Sequence, residues 1–288
     1  MKVILSRKGF DSGYGGYPSP IFPNKRMISL PIPEPTSNDS DKMKYSDLMF
    51  EHNKTYYQLI DELGIKKIKI RGKTEEFTPE TKCHLDPDIY KSIINRDKNW
   101  RPLFGQMKAA SGHLLKSVSV DDLFLFFGWF QECEQINGRY KYKQSAKDLN
   151  VIFGYLQIGQ IIKTSEHPEE IPEWATYHPH MNKERVNNKT NVIFISRDRS
   201  WDLDIPGGGT FNLHPSLILT KENMPRTYWN LPEFFKNVNI SYHPKNSKKY
   251  GWKDDCFYSA TRGQEFIISE NRDVENWAKN LINKNLTI

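Results

Sequence analysis

Cysteine is scarce in this chain. Cys83, Cys133 and Cys256 are three in 288 residues, too few, too far apart and odd in number for a disulfide framework or a cysteine-built zinc cluster, so a reducing cytoplasm is the expected compartment. Long uncharged apolar runs are also missing. Nothing approaches the ~20 residues of a membrane helix, and the apolar part of Met1–Phe10 is too short for a signal peptide, so neither membrane insertion nor export is expected. The glycine-rich stretches lack the Gly-Lys-Ser/Thr ending of a phosphate-binding loop, and no helical pattern follows them as a dinucleotide fingerprint requires. A methyl-donor motif, an internal repeat and low-complexity tracts are likewise absent. These gaps count against many nucleotide-dependent transferases and against a solenoid.

What is present is a basic, aromatic, globular composition. Net charge is +6 with a pI near 9.0, 37% of residues are hydrophobic and 13% aromatic. A core large enough for one domain over 1–288 is expected, and the charge suits either a polyanionic partner or an ordinary solvated surface; aromatics interleaved with the basic residues favour nucleic acid. Two apolar runs, Asp122 to Gln131 (DLFLFFGWFQ) and Asn150 to Lys163 (NVIFGYLQIGQIIK), have no equal elsewhere. Neither alternates with polar residues, which predicts strands covered on both faces, and Gly128, Gly154 and Gly159 inside them favour bulges and a strongly bent sheet. The fold class is therefore α+β, with core strands about 120–165 and 190–220. The polar segment Glu132–Leu149, carrying Arg139, Lys141, Lys143 and Lys147 around two tyrosines, reads as an exposed hairpin. Helical spacing predicts a helix from an N-cap at Ser46 to a stop at Gly64, and a terminal amphipathic helix over about 271–284 with Val274, Trp277, Ala278, Leu281 and Ile282 on one face. Lys66–Gly72 should form a half-exposed strand, and Pro33–Asp41 a polar linker.

Several stretches carry chemistry. Arg7–Asn24 (RKGFDSGYGGYPSPIFPN) excludes helix and regular strand and offers a carboxylate at Asp11, a hydroxyl at Ser12 and stacking rings at Tyr14 and Tyr17, in a loop where glycine lets a ligand approach the backbone. Its alternative is a plain Gly/Pro connection. Cys83–Tyr90 (CHLDPDIY) places His84, Asp86 and Asp88 within five residues, as a metal or acid/base turn or as an Asx-type turn capping a helix from near Ile89. His178-Pro-His180 resembles half a metal site with no further cysteine or histidine at ligand spacing, so hydrogen bonding to phosphate or base is the favoured role and no metal is expected. Phe104–Leu115, with Gln106 and His113 among small residues, reads as a pocket wall.

Taken in order, Lys8-GFDSGYGGYPSPI, Cys83-HLDPD, Phe104-GQ with Ala109, Ala110, His113 and Leu114, the two core runs, His178-PH, Pro206-GGGTF and Arg262-GQEFI resemble the third type of the nucleotide-modification-associated domain families, over nearly the whole chain. The core runs are also similar to those of PUA-like barrels, which adds a small PUA-like barrel flanked by helices to the bent mixed sheet as an expected shape. The resemblance implies DNA as partner, with a modified cytosine, and no cofactor. Its nearest functional counterpart is an antiphage DNA glycosylase acting on hydroxymethylated or glucosylated bases; a phage-type base-modifying transferase and a non-catalytic reader of modified bases are the other classes it leaves open. Glycosylase chemistry requires a pocket for an extruded base and a carboxylate that stabilises an oxocarbenium-like sugar. Asp11 is the first candidate and Glu265 the second, with the Asp86/Asp88 turn behind them. Ser12, Tyr14, Tyr17, His84, Asp86, Asp88, Gln106, His113 and Gln264 are the expected base contacts, and Lys8, Arg139, Lys141, Lys143, His178, His180 and Arg262 the expected backbone contacts.

Overall fold

A computed structural model describes residues 1–35, 42–201, 204–245, 247–261 and 263–286. Arg262 and the second half of the linker expected at Pro33–Asp41 lie outside the described residues. The main sheet is assembled from β1 (Val3–Arg7), β2 (Ser19–Ile21), β5 (Leu103–Gln106), β6 (Leu123–Ile136), β7 (Arg139–Tyr142), β8 (Leu149–Lys163), β9 (Val192–Ser196), β10 (Gly208–Thr210) and β11 (Glu265–Ile268). A separate pair joins β3 (Ile32–Glu34) to β4 (Lys82–His84). The helices are α1 (Tyr56–Glu62), α2 (Lys108–Leu115), α3 (Lys183–Val186) and α4 (Arg272–Asn285).

The two apolar runs form β6 and β8, which pair antiparallel at the centre. Their side chains are buried on both faces, as the lack of alternation requires. Beyond Phe130, β6 turns polar and continues into the expected hairpin with β7, whose Tyr140 amide donates to Glu62 at 3.2 Å. The main path through the sheet runs β11-β1-β6-β8-β9-β5, with β1 parallel to β6 and the other neighbours antiparallel. Where β8 meets β9 the register skips at Gly159, a bulge that sharpens the local twist. The sheet coils until its two edges meet through side chains: Gln106 at the end of β5 donates to Glu265 at the start of β11, at 2.9 Å. No ladder joins those edges. Of the two shapes expected, the chain adopts the strongly bent open sheet and not the closed barrel.

Phe104, Phe124, Phe126 and Phe194 pack as one ring cluster with centroids 5.1–5.8 Å apart, each fully buried ring contributing about 1.5–3 kcal/mol. Phe104 of this cluster lies under Lys8, one of the residues that line the site described below. The terminal helix forms where expected, capped by Asn271 and burying Val274, Ala278, Leu281 and Ile282, while Trp277 sits half-buried against Phe235.

Two helix expectations are corrected. The segment from Ser46 does not run as one helix: Tyr45–Asp47 is a single 3₁₀ turn, Met49–Glu51 and Lys54–Thr55 form a small hairpin, and α1 begins only at Tyr56. The reason is a reciprocal capping box, Thr55 Oγ1 accepting from Gln58 N and Gln58 Oε1 from Thr55 N, which fixes the N-cap nine residues later than expected. No helix starts near Ile89 either. The Asp88 backbone exchanges both its hydrogen bonds with Leu103, so it is not available for helical bonding.

Candidate active site

Three chain crossings build one concave site. The first is the connection after β1. Lys8 N donates to Phe127 O, and the chain then turns into the glycine-rich loop, where Asp11 Oδ1 accepts from Gly13 N and Tyr14 N at 2.7 Å each. The loop is pinned from below by reciprocal backbone bonds between Gly15 and Lys69. The second crossing is the β5 end with the loop into α2, bringing Gln106, Met107 and Lys108. The third is the pair of histidine turns, His84–Asp86 at the end of β4 and His178–His180 before α3.

Together they enclose a cavity of about 360 Å³ lined by Arg7, Lys8, Gly9, Asp11, Tyr14, Ile32, His84, Asp86, Gln106, Met107, Lys108, His180, Arg185 and Gln264. A larger groove of about 720 Å³ lies near Met43, Cys83 and Tyr177–Lys183, but His178 is the only imidazole on its wall. The convergence of acids, bases and amides marks the smaller cavity as the site.

At one side of the cavity, Lys8 and Glu265 form a buried ion pair, Nζ to Oε1 2.7 Å, with side chains 7% and 1% exposed. Gln106 donates to the same oxygen at 2.9 Å, and Lys8 Nζ stands 4.2 Å over the Phe104 ring. Glu265 Oε2 is buried with no hydrogen-bond partner. Arg7, its neighbour, donates to the carbonyls of Ala260 and Thr261. Burial pushes its guanidinium down to about 10, opposed by the nearby Asp11 carboxylate.

At the other side stands an imidazole–carboxylate cluster. Asp86 Oδ1 accepts from Gly105 N at 2.8 Å and lies 3.3 Å from His178 Nε2, while Oδ2 lies 3.9 Å from His180 Nε2 and 4.0 Å from His84 Nε2. Burial raises Asp86, but the His178 contact and the surrounding imidazoles outweigh it and bring the carboxyl down to about 2. Burial lowers His180 to about 4, partly offset by Asp86, and lowers His84 well below its ordinary value, reinforced by His180. His180 fits only because residue 105 is glycine: a Cβ there would sit 2.3 Å from the imidazole Cγ and Cδ2.

The expected site residues divide into those that converge and those that do not. Asp11, Tyr14, His84, Asp86, Gln106, Gln264, Lys8 and His180 line the cavity, with Glu265 and His178 in contact with lining residues. Ser12 is exposed outside it, and Tyr17 packs half-buried against the core. Asp88 faces elsewhere, gripped by Arg96 at 2.5 and 2.8 Å and bonded to Tyr177. His113, on α2, meets the Tyr242 ring at a tilt, with centroids 5.1 Å apart. Arg139 and Lys143 sit on the hairpin beside Asp61 and Glu132, and Lys141 beside them on the exposed edge, away from the cavity. Sequence reasoning missed Arg7, Lys108 and Arg185, which with Lys8 give the cavity four cationic linings. It also missed Glu34 and Asn191, which stand behind the histidines. Arg7 and Lys108 lie inside two of the chemistry-bearing stretches without a role having been given to them there, whereas Arg185, Glu34 and Asn191 lie in none, and only the tertiary path joins all five.

A protein-family model described as nucleotide modification associated domain 3 matches residues 2–269. No curated protein and no solved structure matches. With the match extending from β1 through β11 and so containing every wall of the cavity, the chain belongs to the nucleotide modification associated domain 3 family.

Proposed function

We propose that the protein excises a modified base from DNA, taking the extruded nucleotide into the 360 Å³ cavity and cleaving its N-glycosidic bond. The observation that carries the reading is the lining itself: a volume at the small end of ligand sites, with Asp11 presented on its wall and Arg7, Lys8, Lys108 and Arg185 around it. A base pulled from the stack needs a polar pocket that reads its edge and an apolar or aromatic surface against which to rest. Gln264 offers an amide for the edge, with Gln106 holding it in place, and Tyr14 offers a ring.

Among the carboxylates, Asp11 is best suited to touch the sugar. Two backbone amides fix one of its oxygens, which orients the other without neutralising its charge. Glu265 is committed to Lys8 and Gln106, so its part is to position them. A carboxylate at Asp11 would stabilise the oxocarbenium character that develops as the glycosidic bond breaks, and would orient the attacking water. Of the cationic lining, the exposed Lys108 would hold a flanking phosphate, a contact that fixes register without reading sequence, while Lys8 stays with Glu265.

The test is to incubate the protein with phage DNAs carrying cytosine, hydroxymethylcytosine or glucosylated hydroxymethylcytosine, then assay abasic sites and released base. Excision from a modified DNA, reduced about 10²–10⁴-fold by Asp11→Asn with folding and DNA affinity intact, supports the reading. Full activity in that variant, or no abasic sites on any of the DNAs, refutes it.

A further inference from the structure

The geometry points to a binding site for one divalent transition-metal ion at His84 Nε2, Asp86 Oδ2 and His180 Nε2 on the cavity wall. The three ligand atoms lie within 4.8 Å of one another, and both imidazole nitrogens are 3.9–4.0 Å from the same carboxylate oxygen. That spacing is too long for hydrogen bonds. Metal bonds of about 2.0–2.2 Å place neighbouring ligands about 3.0–3.6 Å apart, so side-chain adjustments of under about 1 Å would close the set.

The groups behind the ligands give the independent observation. Asn191 donates through Nδ2 to Thr164 Oγ1 and to His180 O, which leaves its Oδ1 as an acceptor 2.6 Å from His180 Nδ1. The proton of His180 is therefore on Nδ1, and Nε2 presents a lone pair to the cavity. His84 does not repeat the arrangement: its Nδ1 is buried 3.5 Å from Glu34 Oε1 without a hydrogen bond, while its Nε2 lies on the side of Asp86 Oδ2 at 4.0 Å. His178 has the opposite tautomer. Its Nδ1 accepts from His180 N, which places the proton on Nε2, toward Asp86 Oδ1. Gly105 N donates to that oxygen, with His178 Nε2 3.3 Å away, and the other oxygen is left for the ion. An acceptor on the remote nitrogen of a ligating histidine, as Asn191 supplies to His180, and a donor on the non-ligating carboxylate oxygen, as Gly105 N supplies to Asp86, belong to the outer-shell pattern of metal sites.

Two imidazoles and one carboxylate leave coordination positions open. All three ligands line the cavity, so those positions face the space in which a nucleotide would sit. An ion there would polarise a substrate oxygen or lower the pKa of a bound water, whether the reaction is excision or another base modification. The inference concerns binding and stands apart from the glycosylase reading.

The full chain, stripped with chelator and dialysed, is titrated with Co²⁺ followed by visible absorption, then with Zn²⁺ in competition. One ion per chain is expected. His84→Gln and His180→Gln should abolish tight binding, and Asn191→Ala, which removes no ligand, should weaken it about 10–100-fold. Circular dichroism checks folding, and Asn191→Ala with His84→Gln keeps the test open if His180→Gln fails to fold. The exposed group His167, Glu169 and Glu170 is the control. Loss of binding in His167→Ala, an absence of stoichiometric binding by the wild type, or unchanged affinity in folded His84→Gln would each overturn the assignment.

Discussion

Replacing Glu265 by Gln removes a charge from the most deeply buried ion pair in the site while keeping the side chain's size. Two losses follow. Lys8, 7% exposed, keeps its charge without a counter-charge, and breaking a buried pair on one side costs about 3–5 kcal/mol. The new amide must also keep its oxygen where Oε1 accepts from both Lys8 and Gln106, which puts its NH₂ where Oε2 finds no partner. Leaving those donors unmade adds about 1–3 kcal/mol. The Phe104 ring under Lys8 Nζ is present in both proteins and cancels from the comparison. The variant should therefore lose about 4–8 kcal/mol in urea unfolding at pH 7. Lys8→Met should cost a similar amount, because Glu265 is then the uncompensated charge. The double variant Lys8→Met/Glu265→Leu should lose far less than the sum, since an apolar pair of similar volume is often neutral at such sites. Additive losses in the cycle, or a loss below about 1 kcal/mol for Glu265→Gln, would show that the pair is solvated and that the buried-charge argument fails.

Gly105→Ala should destabilise the fold by about 1–3 kcal/mol, because the added methyl meets the His180 ring at 2.3 Å; thermal unfolding reads the loss, and an unchanged midpoint would mean the ring has room to move. Asp88→Asn should cost about 3–5 kcal/mol by stranding Arg96, 6% exposed, and a variant that unfolds like the wild type but loses activity would return Asp88 to the site. His243 is lowered chiefly by burial, and its Nε2 accepts from Ala260 N at 2.8 Å. The unfolded chain takes up a proton near ~6.5 that the folded imidazole resists, so this contribution is complete above that pH and is lost as pH falls toward the folded value. His243→Ala should cost about 1–3 kcal/mol at pH 7.5 by orphaning Ala260 N, and its stability should decline less steeply between pH 7 and 5 than the wild type's; parallel declines would refute the assignment.

Local chemistry explains what was legible in the sequence. The β6 and β8 runs are apolar on both faces, so their burial follows from composition alone, and Gly159 marks a bulge because extra backbone must be absorbed there. The terminal helix reads directly from its one-sided stripe and the Asn271 cap. The motif residues are likewise visible as chemistry: Asp11 among glycines, Gln106, His84, Asp86 and the histidine pair. Misreadings occurred where a nearby alternative satisfied the same pattern. Leu48, Tyr56, Leu59 and Ile60 are buried as helical spacing implied, but the Thr55–Gln58 box moved the helix start. Asp88 looked equivalent to Asp86 two positions away, yet its backbone pairs with Leu103 and its carboxylate with Arg96, so only Asp86 faces the cavity. The site as a unit belongs to the tertiary structure. Each histidine turn alone lacks a ligand set, and His84 with Asp86 meets His180 only because β5, with glycine at 105, runs between the two turns. Lys8 just past β1 and Glu265 at the start of the adjacent β11 are neighbours through strand pairing, but Gln106 reaches them from the opposite edge of the sheet because the sheet coils almost onto itself. Sequence spacing carries no record of that coil, which is set by the accumulated twist of six strands.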